Sequence, residues 1–143
     1  MPPPRSRKEL AGDVWRLMFD YLIATSASRE ESLGRRNLTP NDSRALYRLS
    51  ETEGAPIGQL AREWKCDPSN ATWIVDRLEK AGLAERRPSP ADRRVKLVFL
   101  TALGSSTMKE LMAEFHDPPA GLLSLSRADL ETLDGILRKL AEP

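Results

Sequence analysis

The chain has 143 residues, which is the size of one ordinary domain and too short for two independent hydrophobic cores. Its 22 Lys and Arg side chains nearly balance 21 Asp and Glu side chains, so the net charge of +1 indicates no nucleic-acid partner by itself, and any electrostatic surface must be local. One cysteine and one histidine exclude an intrachain disulfide framework and an ordinary zinc site, and no cofactor is expected. The sequence has no apolar run of roughly 18 residues, which predicts a cytoplasmic protein without a membrane span.

The first predicted helix, over about residues 10–23, carries apolar side chains on two faces. Such a helix needs burial on both sides. In a short chain a partner subunit covers the second side more readily than the chain's own core does. The alternative is that the helix is central and buried within a single protomer. The two faces consist of Leu10, Val14, Leu17, Met18 and Tyr21, and of Trp15, Phe19, Leu22 and Ile23.

Three short helices are predicted next. Thr39-Pro40-Asn41-Asp42 supplies a cap, a proline and an acid for a helix expected to end near Glu53-Gly54. A second helix follows Pro56, and Asp67-Pro68 starts a third that stops at Gly82. The residues expected to face the core are Ala45, Leu46, Leu49, Ile57, Leu60, Ala61, Trp64, Ala71, Ile74, Val75 and Leu78.

A β-hairpin and two further helices complete the prediction. Residues 83–87 and 94–100 are β-compatible runs around a turn at 88–92, and in the second run Val95, Leu97 and Phe99 alternate against Lys96 and Val98. Thr101 caps the next helix, which the prolines at 118 and 119 stop, and Ser126 with Asp129 opens the last one.

Three short helices followed by a two-stranded hairpin are typical of a winged helix-turn-helix. The hairpin concentrates positive charge where a wing would meet phosphate. Its cations are Arg86, Arg87, Arg93, Arg94 and Lys96, against the single acid Asp92. A helix that enters the major groove needs short polar side chains near its start, which Ser69, Asn70 and Thr72 provide. Pro68 would let the first amides approach a phosphate, and Arg77 suits backbone or outer base contacts.

The stretch from Asp67 to Leu83, which ends in Asp-Arg-Leu-Glu-Lys-Ala-Gly-Leu, is followed by Asp92-Arg93-Arg94 and by Leu100-Thr101. In this order and spacing these segments resemble the MarR family of bacterial transcriptional regulators. The resemblance extends from about Arg7 to Leu140.

This resemblance implies a mainly α fold with a small two- or three-stranded β wing, in one domain over residues 1–143. Residues 38–100 would form the winged-helix DNA-binding lobe, while 7–33 and 101–141 would supply dimerisation helices. It also implies a homodimer that binds a pseudo-palindromic duplex operator as a regulator, usually a repressor, and that is relieved by a small aromatic or phenolic effector.

Individual residues take roles from the same resemblance. Arg94 would enter the minor groove while Asp92 orients the wing. An effector pocket would lie between the dimerisation helices and the DNA-binding lobe, although residues at this helical spacing are more often ordinary core. The effector candidates are Trp15, Phe19, Tyr47 and His116. The DNA-binding candidates are Pro68, Ser69, Asn70, Thr72, Trp73, Arg77, Arg86, Asp92, Arg93 and Arg94.

Several alternatives stay open in the sequence. The basic hairpin has a second interpretation as a solvated turn, and Trp73 has one as a residue that packs against the wing. Cys66 is interpreted as an inert buried thiol rather than a redox sensor, and His116 as a partner of a helix dipole. A winged-helix module that binds another protein through Trp73 is the alternative function. No enzyme is expected, because no nucleophile is paired with a base.

Overall fold

The computed structural model describes residue 1 and residues 3–142, and these form eight helices and one antiparallel pair of strands. The helices are α1 (Arg7–Ala24), α2 (Ser26–Gly34), α3 (Pro40–Arg48), α4 (Ile57–Glu63), α5 (Pro68–Lys80), α6 (Ala102–Phe115), α7 (Ala120–Leu123) and α8 (Arg127–Ala141). The strands are β1 (Ala84–Pro88) and β2 (Lys96–Leu100). The mainly α fold with a small β wing is therefore confirmed.

Most of the predicted helix starts are confirmed by their caps. Thr39 and Asp42 form a reciprocal capping box at α3, in which the Asp42 amide donates to the Thr39 hydroxyl at 3.1 Å. Thr101 and Ser126 accept hydrogen bonds from the third residues of α6 and α8. Asp67 differs, because its side chain makes no cap hydrogen bond and Pro68 alone marks the start of α5.

The helical part differs from the predicted elements in three details. The polar segment 24–37, which shows no clear apolar pattern, contains α2, and the short α7 was not predicted. Helix α3 ends at Arg48 rather than near Glu53-Gly54. It ends there because the Ser50 hydroxyl accepts the amides of Thr52 and Glu53, while the Ser50 carbonyl accepts the amide of Leu100 from β2.

The core lies between α3, α4, α5, the wing strands and α6. Helix α5 turns one fully apolar face into it, as the sequence predicts. The large apolar side chains that are fully buried are Leu46, Leu60, Leu78, Leu111, Val75 and Val98. The predicted alternation in β2 is confirmed: Val98 and Leu100 face the core, while Leu97 and Phe99 lie on the other face and remain half-exposed. A backbone bridge between Ala55 and Val98 fixes this orientation of the strand.

Close backbone contacts join the wing to α6. Gly82 ends the α5 region with a φ of +75°, a conformation that glycine adopts without strain. The Thr101 hydroxyl donates to the Gly82 carbonyl at 2.6 Å, and the Thr101 amide donates to the Leu83 carbonyl at 3.1 Å. A Cβ atom on Gly104 would overlap the Leu83 carbonyl oxygen, so this junction requires glycine.

Helices α1 and α8 bury none of their residues in the single chain. Leu17 on one predicted apolar face of α1 is 70% exposed and Trp15 on the other is 66% exposed, so both faces are open to solvent. Leu140 of α8 is 69% exposed. Within the described part of the chain, no helix combines the length and the apolar character that crossing a membrane requires.

Candidate nucleic-acid interface

The start of α5 presents a polar surface because Ala71 and the other buried apolar residues of the helix turn inward. Pro68, Ser69 and Asn70 are exposed, and Thr72 is half-buried. The preceding turn is tight: Lys65 adopts a φ of +54°, and the Cys66 amide donates to the Ala61 carbonyl at 3.0 Å. This turn orients α4 and α5 so that the first two turns of α5 project from the lobe. Cys66, interpreted above as a buried thiol, is half-buried.

The Arg77 side chain binds Asp42 of α3 instead of extending away from the lobe. Its Nη2 donates to Asp42 Oδ2 at 2.9 Å, and its Nε lies 3.4 Å from Asp42 Oδ1. Asp42 is only 1% exposed. Burial raises the pKa of Asp42, but the hydrogen bonds from Arg77 and from Thr39 outweigh it, so the pKa lies below its ordinary value. The pair therefore ties α5 to the start of α3.

Trp73 lies at the surface of α5. It is 57% exposed on α5, and the Arg77 guanidinium carbon lies 5.0 Å from the centroid of its ring. This distance is typical of a cation–π interaction. The indole is thus the largest apolar group on the projecting face of α5.

Arg86 of β1 connects the wing to α5. Its guanidinium binds Asp76 at 2.7 Å and also binds Glu79, so two carboxylates compensate its charge. Arg86, which was a candidate DNA-binding residue, therefore joins β1 to α5 in this structure.

The tip of the wing carries the accessible positive charge. The Arg94 side chain is 91% exposed, and its backbone amide donates to Asp92 Oδ1 at 3.0 Å. The side-chain and backbone hydrogen bonds from Arg94 lower the pKa of Asp92 below its ordinary value. Arg93 and Lys96 are also exposed. Arg87 lies over the Phe99 ring, 4.4 Å from its centroid, which covers the outer face of β2.

The four candidate effector residues do not lie together. Trp15 and Phe19, whose ring centroids are 6.3 Å apart, line an open, mainly apolar cavity of about 430 Å³ between α1, α6, α7 and α8. Tyr47 is 71% exposed and lines a different groove between α3 and α6. His116 is exposed at the end of α6.

Sequence reasoning missed two anchoring groups. Asp42 was recognised only as part of a helix cap, although it also holds Arg77. Glu114 of α6 accepts hydrogen bonds from Ser32 and from Arg36, the latter at 2.8 Å. These hydrogen bonds lower the pKa of Glu114 to about 2. Spacing along the chain shows neither contact, since the partners lie on different helices.

A tight helical turn, a projecting polar helix and a cationic two-stranded wing define a winged helix-turn-helix protein. The model of the MarR family matches residues 38–96. The HTH-type transcriptional repressor MdtR of Bacillus subtilis is 30% identical over 139 residues, which cover 96% of this chain and 90% of MdtR. The chain belongs to the MarR family and is a transcriptional regulator.

Solved structures agree with this assignment. The crystal structure of YusO from Bacillus subtilis matches with a TM-score of 0.76 at 26% identity, over 96% of this chain and 98% of YusO. A structure of a mutant of S. aureus MepR bound to an oligodeoxyribonucleotide has a TM-score of 0.71 at 18% identity, over 92% of this chain and 95% of MepR. The second match shows a common fold.

Proposed function

We propose that the protein is a homodimeric repressor that binds a pseudo-palindromic duplex operator. In this arrangement the start of α5 enters the major groove, and the wing contacts the adjacent minor groove. The observation that carries the proposal is the pairing of an exposed polar α5 with a wing tip whose cations are accessible. The similarity to the repressor MdtR and to a DNA-bound form of MepR supports it.

The DNA contacts are divided between two kinds of group. Ser69, Asn70 and Thr72 have the short donors and acceptors that recognise base edges, and the exposed amides after Pro68 suit a phosphate. Arg94 is the candidate for the minor groove, where a narrow electronegative groove attracts a guanidinium. Direct base contacts set the sequence preference, whereas the wing contributes affinity that depends on salt.

Dimerisation is proposed from the exposed apolar faces of α1 and α8. These faces are too apolar and too continuous to suit a surface in water. A two-fold dimer would bury the same patch on both copies and would place two lobes on one duplex. The lobe would then span about residues 38–100, with the dimerisation helices on either side at 7–33 and 101–141.

The cavity beside Trp15 and Phe19 is the proposed effector site. Its volume of about 430 Å³ and its largely apolar lining suit a small aromatic molecule. Because α1 and α8 line it together, an occupant would change how the terminal helices pack and hence the spacing of the two lobes.

Selection from a randomised duplex pool at two salt concentrations tests the proposal. We expect an enriched inverted repeat whose affinity falls as salt rises. Substituting Arg94 should weaken binding to all sequences, whereas substituting Asn70 should change the preferred sequence. If no sequence is enriched at low salt, the repressor proposal is wrong, and the alternative of a module that binds another protein through Trp73 replaces it.

A further inference from the structure

We propose that Trp73 recognises a thymine methyl group in each half-site, and that Arg77 is a positioning residue that acts through Trp73 rather than a DNA contact. This inference rests on the proposed operator binding and specifies how part of the sequence preference arises.

Three residues form a continuous chain from the core to the surface of α5. Asp42, at 1% exposure, accepts the Arg77 guanidinium at 2.9 Å, and the same guanidinium lies 5.0 Å from the centre of the Trp73 ring. Asp42 is itself fixed, because its Oδ2 accepts the Thr39 amide at 2.8 Å in the capping box of α3. The buried carboxylate of Asp42 therefore sets the orientation of the exposed Trp73 indole through Arg77.

The same contacts make Arg77 a poor phosphate ligand. Its side chain is 36% exposed, and its charge is compensated by a carboxylate that hydrogen bonding keeps ionised, with a pKa below the ordinary value. Moving Arg77 to a phosphate would leave Asp42 buried without its partner, which is a costly arrangement. Arg94 has no such constraint, because it is 91% exposed and its partner Asp92 lies at the surface of the wing.

The exposed indole of Trp73 is chemically suited to contact the methyl group of thymine. An indole ring offers a flat apolar surface and a single donor, and it has no acceptor. In the major groove the C5 methyl of thymine is the apolar group that distinguishes this base, and apolar side chains contact it. Trp73 follows Thr72 by one residue on the part of α5 that projects from the lobe, and it is 57% exposed with Arg77 against its ring. A ring held in this way loses little freedom when it meets a methyl group.

Replacing single thymines of the selected operator by deoxyuridine tests the inference, because this change removes only the methyl group. Wild-type protein should bind about fourfold more weakly per half-site when the recognised thymine is replaced, as expected for burial of one methyl-sized group. Trp73→Ala should bind the thymine and deoxyuridine duplexes equally. Trp73→Phe, which keeps an aromatic face, should retain a preference for thymine.

Arg77 variants separate positioning from charge. Arg77→Gln should reduce the thymine preference while leaving the slope of log affinity against log salt unchanged, and Arg77→Lys, which keeps a cation beside Asp42, should restore most of the preference. A phosphate contact would instead lower the slope by about 0.9 per contact. Circular dichroism melts check that each variant is folded.

The outcomes distinguish this inference from the function on which it rests. A pool without an enriched sequence overturns both. An enriched operator that has no thymine in its half-sites, or one whose deoxyuridine forms affect wild type and Trp73→Ala equally, overturns this inference and leaves operator binding intact. A lower salt slope in Arg77→Gln also overturns it, because Arg77 would then contact phosphate.

Discussion

Truncating Leu17 to alanine tests the proposed dimer, because this side chain has no packing role in the single chain. Leu17 lies on α1, where it is 70% exposed, and α1 buries none of its residues. Alanine is the best helix former, so the change should leave α1 intact and should hardly alter the stability of an isolated protomer. Any large effect must therefore arise from contact with a second copy.

The size of the effect follows from the exposed fraction of Leu17. Full burial of a leucine side chain contributes about 1.5–3 kcal/mol, and an interface that covers the 70% now exposed gains roughly 1–2 kcal/mol from each copy. A two-fold dimer contains the residue twice, so Leu17→Ala should weaken dimerisation by about 2–4 kcal/mol. The dissociation constant of the dimer should rise by about 30-fold to several hundred-fold.

Sedimentation equilibrium over a wide protein concentration range measures this constant directly. Tyr47→Ala is the matched control, since Tyr47 is 71% exposed but lies on α3 within the proposed lobe, outside the proposed dimerisation helices. It should dimerise like the wild type. Equal dissociation constants for Leu17→Ala and wild type, or a wild type that stays monomeric at every concentration, would refute the reasoning.

Three further predictions concern stability and the wing. Hydrogen bonds hold the pKa of Glu114 at about 2 against an ordinary 4.5, so the stability that they contribute is complete above pH 4.5 and is lost as the pH falls toward 2. The urea midpoint of wild type should therefore fall more steeply across this window than that of Glu114→Gln. Gly104→Ala should lower the free energy of unfolding by about 1–3 kcal/mol or more, measured by denaturant unfolding, because its Cβ meets the rigid Leu83 carbonyl. Arg94→Gln should reduce the salt slope of operator binding by about 0.9 per phosphate contact, whereas Arg86→Gln, whose charge is already compensated, should leave the slope unchanged in the same titration.

The sequence predicts the elements whose signals are local. A proline after an extended residue marks the start of α5, and a period of 3.6 residues correctly assigns its buried face. The capping box of Thr39 and Asp42 can likewise be recognised from four consecutive residues of the sequence. Such local signals are sufficient to predict most elements of the lobe and the order of its helices.

Features that depend on distant partners were not predictable in this way. Helix α2 has few apolar residues, and its attachment to α6 runs through Ser32 and Glu114, which are far apart in the sequence. The inward face of β2 could not be assigned from the sequence because apolar residues occupy both of its faces, and the bridge from Ala55 selects Val98. The state of Arg77 depends on Asp42, a residue of another helix.

The internal pairing of cations changes how the net charge of +1 should be interpreted. Arg77 and Arg86 are compensated by carboxylates of the lobe, so they would add little to the field that a duplex meets, and the accessible charge of the wing tip lies at Arg93, Arg94 and Lys96. A small, local cationic patch on a nearly neutral protein gives weak attraction to arbitrary DNA. Under the proposed operator binding, discrimination between sequences would then come mainly from the shape and chemistry of α5, and the proposed positioning of Trp73 by Arg77 and Asp42 fits this role.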